Sequence, residues 1–479
     1  MTDRLRHAYD PERFREQGHQ LIDSLADYLA NMQHDPRTAV LPGQSPDDRL
    51  ENWQADYEQS PNEQVNRFWE VVVQQSMHLH HPHYVGHQVA PPAPVAALAG
   101  LVSNFLNNGM AVYEMGPVSS VLERIVIRQV AKLVGYGPAA GGLMTSGGTL
   151  SNLTALLAAR QHQVPGTWQQ GTTEPLALLV SEQAHYCIDR AVKVMGWGED
   201  GIVKVPSDEH YRMHADQLEG CYQQAQAGGR RVIAVVGSAC TTATGSYDPL
   251  AAIADFCQRR RLWFHVDGAH GAPAAFSPRY QHLVKGLDQA DSITIDFHKM
   301  MLTPALSTGL LFKDEALSYQ TFAQRASYLL SDDEGEWFNS GKRTFECTKR
   351  MMSLQVYSIL RTYGPEIFAE NVDYLYGLAG TFARMIEQRP ALELALFPQA
   401  NIICFRYVGN VATDALNQLN AALRQEILED GKFYLVQTQL RGRQYLRTTL
   451  MNVFTTEAVL SKLLDEVETV GKRISASLS

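Results

Sequence analysis

Apolar positions recur with two different periods along the chain, one typical of helices and one of strands. The change of period separates a helical N-terminal part from a central part in which strands and helices alternate. Helical spacing predicts helices over residues 10–33, 63–77 and 119–134. Between about residues 141 and 313, short β-branched runs alternate with helical stretches. The predicted strands are residues 176–181, 201–205, 231–239, 262–267, 292–295 and 308–312, and the predicted helices are 149–162, 184–195, 215–227 and 249–260. This alternation is typical of a mostly parallel sheet with helices on both faces.

The C-terminal region has a mixed pattern of its own. It predicts helices over 365–387, 412–429 and 455–474, with strands at 401–408 and 445–450. Because 479 residues exceed what one hydrophobic core usually supports, we expect more than one packed unit. The predicted parts are an N-terminal helical segment, 1–85, a large domain, 86–364, and a small α+β domain, 365–479.

Composition narrows the classes of partner. The formal charge of −10 offers no basic surface for nucleic acid or anionic lipid. The longest apolar region, 89–106, is interrupted by three prolines and is too broken for a membrane span. Six scattered cysteines without a CxxC pair, and a polar N-terminus unlike a secretory signal, favour a protein of the reducing cytoplasm.

A glycine-rich turn marks the first candidate site. TSGGTLSN, residues 145–152, precedes an apolar helix, and its hydroxyls, glycines and helix N-terminus can together bind an anion. The turn lacks a Walker lysine and a dinucleotide spacing, which favours a simple phosphate. On its own, the same pattern also fits an ordinary N-cap and tight turn.

Polar groups follow several of the predicted strands. Asp267, in HVDGAHGA, can hold a cationic ring nitrogen, although aspartate at a strand end also occurs in turns. His185 and the stretch Cys240–Thr242 follow two other strands. Since ligands of such sheets bind outside the carboxyl ends of the strands, these groups are expected at one edge.

Lys299 is the most informative candidate. It stands in SITIDFHKMML, directly after a predicted strand, and the apolar residues that follow it are expected to desolvate the amine and lower its pKa. A phosphate turn, an aspartate for a ring nitrogen, a histidine and a desolvated lysine at one sheet edge are what pyridoxal phosphate requires.

These motifs carry a resemblance to a known family. HHPHYVGH, YEMGPVSSVLE, TSGGTLSNLTALLAAR, HVDGAHGA, DFHKMM, ASYLL and LRTTLMN resemble, in this order, segments of the group II pyridoxal-phosphate-dependent amino-acid decarboxylases. That family includes glutamate, cysteine sulfinate, aromatic amino-acid, histidine and 2,4-diaminobutyrate decarboxylases. The resemblance implies the aspartate-aminotransferase fold (fold type I) and a homodimer with active sites at the subunit interface, whose N-terminal helices wrap around the partner.

The resemblance also implies roles for individual residues. Lys299 matches the lysine that forms the Schiff base, Asp267 the partner of the pyridine nitrogen, and His185 the histidine over the cofactor face. The remaining cofactor contacts that it implies are Ser146, Gly147, Gly148, Thr149, Thr242, Ala269 and His298. Asp296 stands where many relatives have asparagine.

The histidine-rich segment HLHHPHYVGH has two interpretations. Clustered histidines often bind metals. The resemblance instead makes the segment part of the substrate pocket, with His87 nearest the amino acid, and we expect no metal.

A second segment departs from the family pattern. In many relatives, a tyrosine on a mobile loop protonates the α-carbon after CO₂ leaves. The matching loop, 328–350, has no tyrosine between Leu329 and Phe345, and it carries Trp337 and Phe338, neither of which can donate an acidic proton. His185, a water molecule, Tyr328 or Glu336 then remains as proton donor, or the reaction is diverted to oxidative deamination.

Substrate choice stays open at this point. Lys349 or Arg350 would suit an acidic substrate or an α-carboxylate, and each would equally suit a structural salt bridge. The acidic run 332–336 would suit a diamino acid, or it is a solvated loop. The leading hypothesis is decarboxylation of an L-amino acid to an amine. The alternatives are an aldehyde synthase and a non-catalytic pyridoxal-phosphate-binding paralogue.

Overall fold

The computed structural model describes residues 1–34, 38–59, 65–322, 337–409 and 412–478. The chain divides into two compact units. The first combines residues 1–87 with 384–395 and 404–479, and the second contains 88–383 and 396–403. Tertiary contacts thus group the N-terminal helices with the C-terminal segment. The predicted division into three parts stays a prediction.

Each of the ten predicted helices is present, with ends within about four residues of the prediction. Within the described residues the helices are α1 Asp3–Ala8, α2 Pro11–His34, α3 Pro46–Tyr57, α4 Val65–Gln75, α5 Pro94–Leu106, α6 Pro117–Leu133, α7 Gly148–Gln163, α8 Thr167–Gln170, α9 Cys187–Val194, α10 Leu218–Ala227, α11 Leu250–Arg260, α12 Ala316–Tyr319, α13 Met352–Tyr363, α14 Glu366–Glu387, α15 Leu416–Asp430 and α16 Glu457–Leu478. None of them combines the length and apolar character that crossing a bilayer requires. Helices α1, α3, α5, α8, α12 and α13 were not predicted.

The strands form two sheets. They are β1 Gly141–Thr145, β2 Leu176–Ser181, β3 Ile202–Val205, β4 Arg231–Ser238, β5 Trp263–Asp267, β6 Ser292–Asp296, β7 Thr308–Phe312, β8 Leu392–Leu394, β9 Ile402–Tyr407, β10 Val436–Leu440 and β11 Arg443–Thr449. All six strands predicted in the central region are confirmed. Strand β1 was not predicted, because GGLMT contains no β-branched run before its final threonine.

The large sheet has the order β1-β7-β6-β5-β4-β2-β3. Strands β3, β2, β4, β5 and β6 are parallel to one another, and β7 is antiparallel to both β6 and β1. The predicted mostly parallel sheet of the fold type I class is therefore confirmed. Apart from the edge strand β3, its strands are buried along almost their whole length, as expected where helices cover both faces.

One core cluster fixes this sheet to its helices. Apolar residues of β2, β4 and β7 pack against α7 and α9, and they include Leu178, Val236, Phe312, Leu156 and Ile188. Burial of such side chains contributes roughly 1.5–3 kcal/mol each. The core thereby sets where α7 and α9 begin, and both begin at the carboxyl edge of the sheet.

The smaller sheet has the order β10-β11-β9-β8, with antiparallel pairing of β10 with β11 and of β8 with β9. Strands β9 and β11 were predicted as residues 401–408 and 445–450. Strands β8 and β10 were missed, because β8 is three residues long and β10 has three consecutive polar residues between its apolar ends.

Candidate active site

A cavity of about 510 Å³ opens at the carboxyl edge of the large sheet. It lies where β1, β2, β4, β5 and β6 end, as expected for ligand sites of parallel sheets. The ten residues predicted as cofactor contacts all line it: Ser146, Gly147, Gly148, Thr149, His185, Thr242, Asp267, Ala269, His298 and Lys299. Residues from five separate segments therefore meet in one site.

The glycine-rich turn forms one end of the cavity. Gly147 has φ +124°, in the region that favours glycine, and the 16-residue helix α7 begins at Gly148. The Ser146 hydroxyl donates a hydrogen bond to Glu346 Oε1 at 2.8 Å. The turn therefore combines hydroxyl groups, the N–H groups of a helix N-terminus and a backbone open to close approach, which together suit a phosphate. We call residues 146–149 the cradle.

Asp267 is held by hydrogen bonds to both carboxylate oxygens. Oδ1 accepts from the Ala269 N–H at 3.2 Å, and Oδ2 accepts from Asn152 Nδ2 at 3.1 Å. Burial raises the pKa of Asp267, and the positive charges of Lys299 and His185 oppose that rise. The carboxylate is thus fixed in direction at the cavity wall, where it can bind a cationic ring nitrogen.

A chain of buried hydrogen bonds lies behind Asp267. Asn152 Oδ1 is 2.8 Å from His265 Nε2, and His265 Nδ1 is 2.9 Å from Ser292 Oγ. Trp263 Nε1 donates to the same Ser292 oxygen at 2.9 Å. We name Asn152, His265, Ser292 and Trp263 the relay.

The proton positions of the relay follow from the charge of Asp267. Two oxygens facing each other would repel, so the Asn152 amide nitrogen faces Asp267 and its oxygen faces His265. His265 must then carry its proton on Nε2. Burial lowers the pKa of His265 to about 4, so this ring is neutral. The relay therefore presents a neutral donor to the carboxylate.

Lys299 lies between two carboxylates. Its Nζ is 2.8 Å from Asp296 Oδ2, and its side chain is 22% exposed, against 2% for Asp296. Burial alone would lower the pKa of Lys299, but the charge and hydrogen bond of Asp296, with the charge of Asp267, raise it above the ordinary value. The expectation that apolar neighbours lower this pKa is wrong for the cofactor-free chain, because the sequence pattern takes no account of the paired carboxylate.

The pKa of Asp296 is shifted in the opposite direction from the pKa of Asp267. Burial would raise the pKa of Asp296, but the charges of Lys299 and His298 and hydrogen bonds from Lys299 and Thr308 hold it below the ordinary value. Asp296 is therefore ionised and forms a charged pair with the lysine.

His185 caps the start of α9 and faces the cavity. Its Nδ1 accepts the Cys187 N–H at 3.3 Å, and the Tyr186 ring lies 4.2 Å from its own ring. Burial lowers the pKa of His185, against the opposing charge of Asp267. The imidazole is therefore mostly neutral near pH 7.

Lys349 and Arg350, the two predicted substrate-binding cations, lie in different surroundings. Lys349 Nζ is buried 2.6 Å from Glu123 Oε1 and donates to the Met144 carbonyl at 2.9 Å, while Arg350 is exposed. A buried ammonium requires a counter-charge, and Glu123 provides it. The structure thus places Lys349 in an internal ion pair and not among the residues lining the cavity. A substrate-binding role for either residue stays a prediction.

The histidine-rich segment is engaged with protein groups. His78 Nδ1 lies 3.2 Å from the Tyr28 hydroxyl, and His83 Nδ1 lies 3.1 Å from the Lys432 carbonyl. Across the part of the chain that the structure describes, no group of three or more His, Cys, Asp or Glu residues could hold a metal ion. His87 packs beside Tyr434, with 5.8 Å between ring centroids. Its predicted contact with substrate is untested.

The loop 328–350 is described only from residue 337 onward. Tyr328 and the acidic run 332–336 lie outside the described residues. The Arg124 guanidinium lies 4.5 Å from the Trp337 ring, and Phe338 packs edge-on against Tyr113. Both aromatic side chains of the tyrosine-free segment thus have packing partners on or near α6.

Several lining residues escaped the sequence analysis, among them Gln88, Asn152, Tyr186, Arg190, Ser238, His270 and Leu306. Asn152 ends the stretch TSGGTLSN that marked the glycine-rich turn, but its burial, which it shares with Ser151 and Thr154, is visible only in the structure. No sequence motif pointed to Arg190. The Arg190 guanidinium lies 4.9 Å from the Tyr186 ring centroid, and it can bind a carboxylate group of a ligand.

The donor set and shape fit pyridoxal phosphate. The cradle can take the phosphate, the fixed Asp267 can take the pyridine nitrogen, and Lys299 can reach the aldehyde. At Gly148, an added Cβ would lie 3.3 Å from Asp296 Oδ1, so a side chain there would crowd the cradle. The cavity volume is also in the range of small-molecule sites.

Comparison with known proteins agrees with this geometry. Residues 46–408 match the family model described as the pyridoxal-dependent decarboxylase conserved domain. The chain is 27% identical over 475 residues to the aromatic-L-amino-acid decarboxylase of Bacillus atrophaeus, covering 97% of each chain. It is 28% identical to the L-2,4-diaminobutyrate decarboxylase of Acinetobacter baumannii, over 87% of this chain and 85% of the relative. The crystal structure of mouse CSAD in apo form matches with a TM-score of 0.90 and 26% identity, covering 96% of this chain and 99% of that one.

Site and fold together define a pyridoxal-phosphate enzyme of fold type I. The chain belongs to the pyridoxal-dependent decarboxylase family. It is a pyridoxal-phosphate-dependent amino-acid decarboxylase that releases CO₂ and leaves an amine. The family, fold and cofactor predictions are confirmed.

Proposed function

We propose that Lys299 binds the cofactor covalently, that Asp267 holds the proton of its pyridine nitrogen, and that the cradle with His298 binds its phosphate. The observation that supports this assignment is the convergence of the three groups on one cavity at the carboxyl edge of the sheet. Thr242 and Ala269 line the same cavity, and we propose that they contact the ring. Bound in this way, the cofactor supplies an electron sink for loss of the substrate's carboxylate.

The protein groups have separable tasks in this proposal. Asp267 keeps a negative charge beside the ring nitrogen, and Asn152 keeps that carboxylate in direction. His185 lies at the cavity wall as a mostly neutral imidazole. To return a proton to the substrate's α-carbon, it must first take one up, from the displaced lysine or from water.

We propose an L-amino acid as substrate, with the side-chain class set by residues beyond the cofactor contacts. A screen of the common amino acids, 2,4-diaminobutyrate and cysteine sulfinate, with CO₂, amine and peroxide all measured, tests this. Amine and CO₂ in equal amounts support decarboxylation. Aldehyde with ammonia and peroxide would select the oxidative alternative, and no product from any substrate would select the non-catalytic one.

The cofactor assignment is tested on the purified protein. Added pyridoxal phosphate is expected to give a visible absorbance band, and borohydride reduction followed by peptide mass spectrometry is expected to find the pyridoxyl group on Lys299. A protein that stays colourless, or a label on another lysine, would contradict the assignment.

We further propose a cytoplasmic homodimer. All six cysteines are free thiols, which suits a reducing compartment. Helix α5 exposes Leu98, Leu101, Val102 and Phe105, and α6 exposes Val118, Val121 and Ile125. Exposed apolar surface on two helices is typical of a protein interface.

Sedimentation at micromolar concentration tests the assembly. We expect the wild type to sediment as a dimer and Phe105→Glu to shift it toward monomer, because a buried charge opposes association. A wild type that is monomeric and fully active would contradict the dimer.

A further inference from the structure

One carboxylate contacts both the reactive lysine and the phosphate cradle. Asp296 Oδ2 is 2.8 Å from Lys299 Nζ. On the other side, Asp296 Oδ1 is 3.3 Å and Oδ2 3.5 Å from the place where a Cβ on Gly148 would lie. An ionised carboxylate therefore lies close to Gly148, which belongs to the cradle proposed to receive a dianion.

The groups around Asp296 come from each element packed against it. Lys299 and His298 follow β6, with the His298 Nε2 atom at 3.7 Å. From β7, the Thr308 hydroxyl donates to Oδ1. Asp267, after β5, and His185, after β2, interact with the same charge cluster through space. Among the described residues, Lys299 is thus the one lysine or arginine in direct contact with Asp296.

We propose that Asp296 is a positioning residue that couples the charge of Lys299 to occupation of the cradle. While the cradle holds no phosphate, the carboxylate keeps the lysine amine protonated and therefore unreactive. A phosphate dianion repels that carboxylate, so phosphate binding is accompanied by uptake of a proton at Asp296, which removes the charge that holds the lysine protonated. This inference rests on the proposed role of the cradle in phosphate binding.

The coupling has a consequence for loading. The lysine amine must lose a proton before its nitrogen can form a bond to the cofactor's aldehyde carbon, a step that releases the aldehyde oxygen as water. A carboxylate at 2.8 Å makes that loss less favourable. Like charges a few ångströms apart also oppose phosphate binding. Replacing Asp296 by asparagine, which keeps the shape and removes the charge, relieves both effects.

The first experiment measures binding to the cofactor-free protein by calorimetry. The probe is 4-deoxypyridoxine 5′-phosphate, which has no aldehyde, with inorganic phosphate and unphosphorylated 4-deoxypyridoxine as companions. In Asp296→Asn, we expect roughly tenfold tighter binding of both phosphate-containing probes at pH 8 and unchanged binding of 4-deoxypyridoxine. The wild type is expected to take up a measurable fraction of a proton when it binds the phosphorylated probe, and the variant is expected to take up less.

The second experiment measures the lysine itself without any cofactor. Acetylation of Lys299 by an N-hydroxysuccinimide ester is followed by mass spectrometry as a function of pH. Loss of the Asp296 charge is expected to move the midpoint of the reactivity curve to lower pH by at least about one unit, since burial then acts without its counter-charge.

Matched variants separate coupling from general charge removal. Glu346→Gln removes the carboxylate that accepts the Ser146 hydroxyl. We expect this variant to strengthen phosphate binding and to leave the reactivity of Lys299 as it is. Glu199→Gln removes an exposed carboxylate paired with Lys193 and is expected to change neither. Asp296→Ser repeats the test if the asparagine variant does not fold.

The outcomes are distinguishable. If the wild type binds the phosphorylated probe no better than 4-deoxypyridoxine, the proposed cradle is wrong, and the coupling is overturned with it. If the wild type prefers the phosphorylated probe but the Asp296 variants show wild-type affinity, proton uptake and lysine reactivity, the cradle stands and the coupling is overturned. Tighter phosphate binding together with a lower lysine midpoint supports the coupling.

Discussion

The second compact unit contains two lysine–carboxylate pairs that look alike by distance and differ in chemistry. Lys299 lies 2.8 Å from Asp296, and Lys349 lies 2.6 Å from Glu123. The pKa of Lys299 is raised, whereas burial lowers the pKa of Lys349 further than Glu123 restores it. The Lys299 side chain is 22% exposed at the cavity, and the Lys349 side chain is 3% exposed.

The surroundings of each pair explain the difference. Lys299 faces a second carboxylate, Asp267, so its positive charge is stabilised twice. Lys349 has Glu123 and the Met144 carbonyl as partners in a closed core. A lysine's role therefore depends less on its sequence motif than on the number of charges facing it and on its access to a ligand.

The strongest test removes each lysine in turn. Lys299→Ala is expected to abolish the visible band of the cofactor and to lower kcat by at least about a thousandfold, because the covalent anchor and its amine are lost. Lys349→Met is expected to keep the band. Absorbance spectra and single-turnover rates at saturating cofactor measure both.

Lys299→Arg serves as the control, because it keeps the charge beside Asp296 without a reactive amine. It should be as inactive as the alanine variant. A substantial rate in either Lys299 variant, or loss of the band in Lys349→Met, would reverse the roles assigned to the two lysines.

A test of intermediate size addresses Asp267, the second carboxylate near Lys299. Asn152→Leu removes the donor to Asp267 Oδ2 and leaves a buried carboxylate oxygen without that bond. Because a hydrogen bond to a charged group contributes roughly 1.5–3 kcal/mol, affinity for 4-deoxypyridoxine 5′-phosphate should fall about ten- to hundredfold. Calorimetry on the cofactor-free variant measures it.

The relay acts on the ring end of the cavity, so Asn152→Leu should leave the affinity for inorganic phosphate unchanged. His265→Gln, which retains a donor for Asn152, should recover much of the affinity that His265→Leu loses. Equal weakening of both ligands would indicate general loss of structure and not loss of orientation.

The smallest effect on turnover is expected at the internal pair. Lys349→Met leaves Glu123 buried without its counter-charge, which should lower the free energy of unfolding by about 3–5 kcal/mol. The effect on kcat should be only a few-fold, since Lys349 does not line the cavity within the described chain. Urea unfolding and steady-state rates measure the two quantities.

The double variant Glu123→Gln with Lys349→Met should recover most of the lost stability, because no buried charge remains and the glutamine oxygen can still accept the Met144 N–H. A large rise in KM in Lys349→Met, without loss of stability, would instead support the substrate-binding role predicted from the sequence.

The fold was predictable where a segment's own pattern decides its structure. Runs of β-branched residues such as 231–238 form buried strands, because a sheet covered by helices buries their apolar side chains. Strand β1 was not predictable, because its pairing with β7 joins residues more than 150 positions apart in sequence.

The residues that line the site could be predicted from the sequence better than their charge states. Ten residues that line the cavity could be named, because the resemblance to the family assigns them and each lies close to the end of a strand or the start of a helix. The charge state of Lys299 could not, since it depends on where the neighbouring side chains point. The same limitation hid Glu123 as the partner of Lys349, 226 residues away in sequence.

The position of Lys299 in the chain has a consequence for biosynthesis. The other segments that line the cavity, from Gln88 through Asp267, precede it in sequence. Synthesis from the N-terminus therefore makes nearly all of the lining residues before the reactive amine. The segment 297–307, which carries the amine, then joins β6 to β7, where Phe297 and Ser307 are hydrogen-bonded at 3.0 Å. Because the cradle follows β1 and β1 pairs with β7, the cradle is fixed in the sheet only once the residues after the amine have been made.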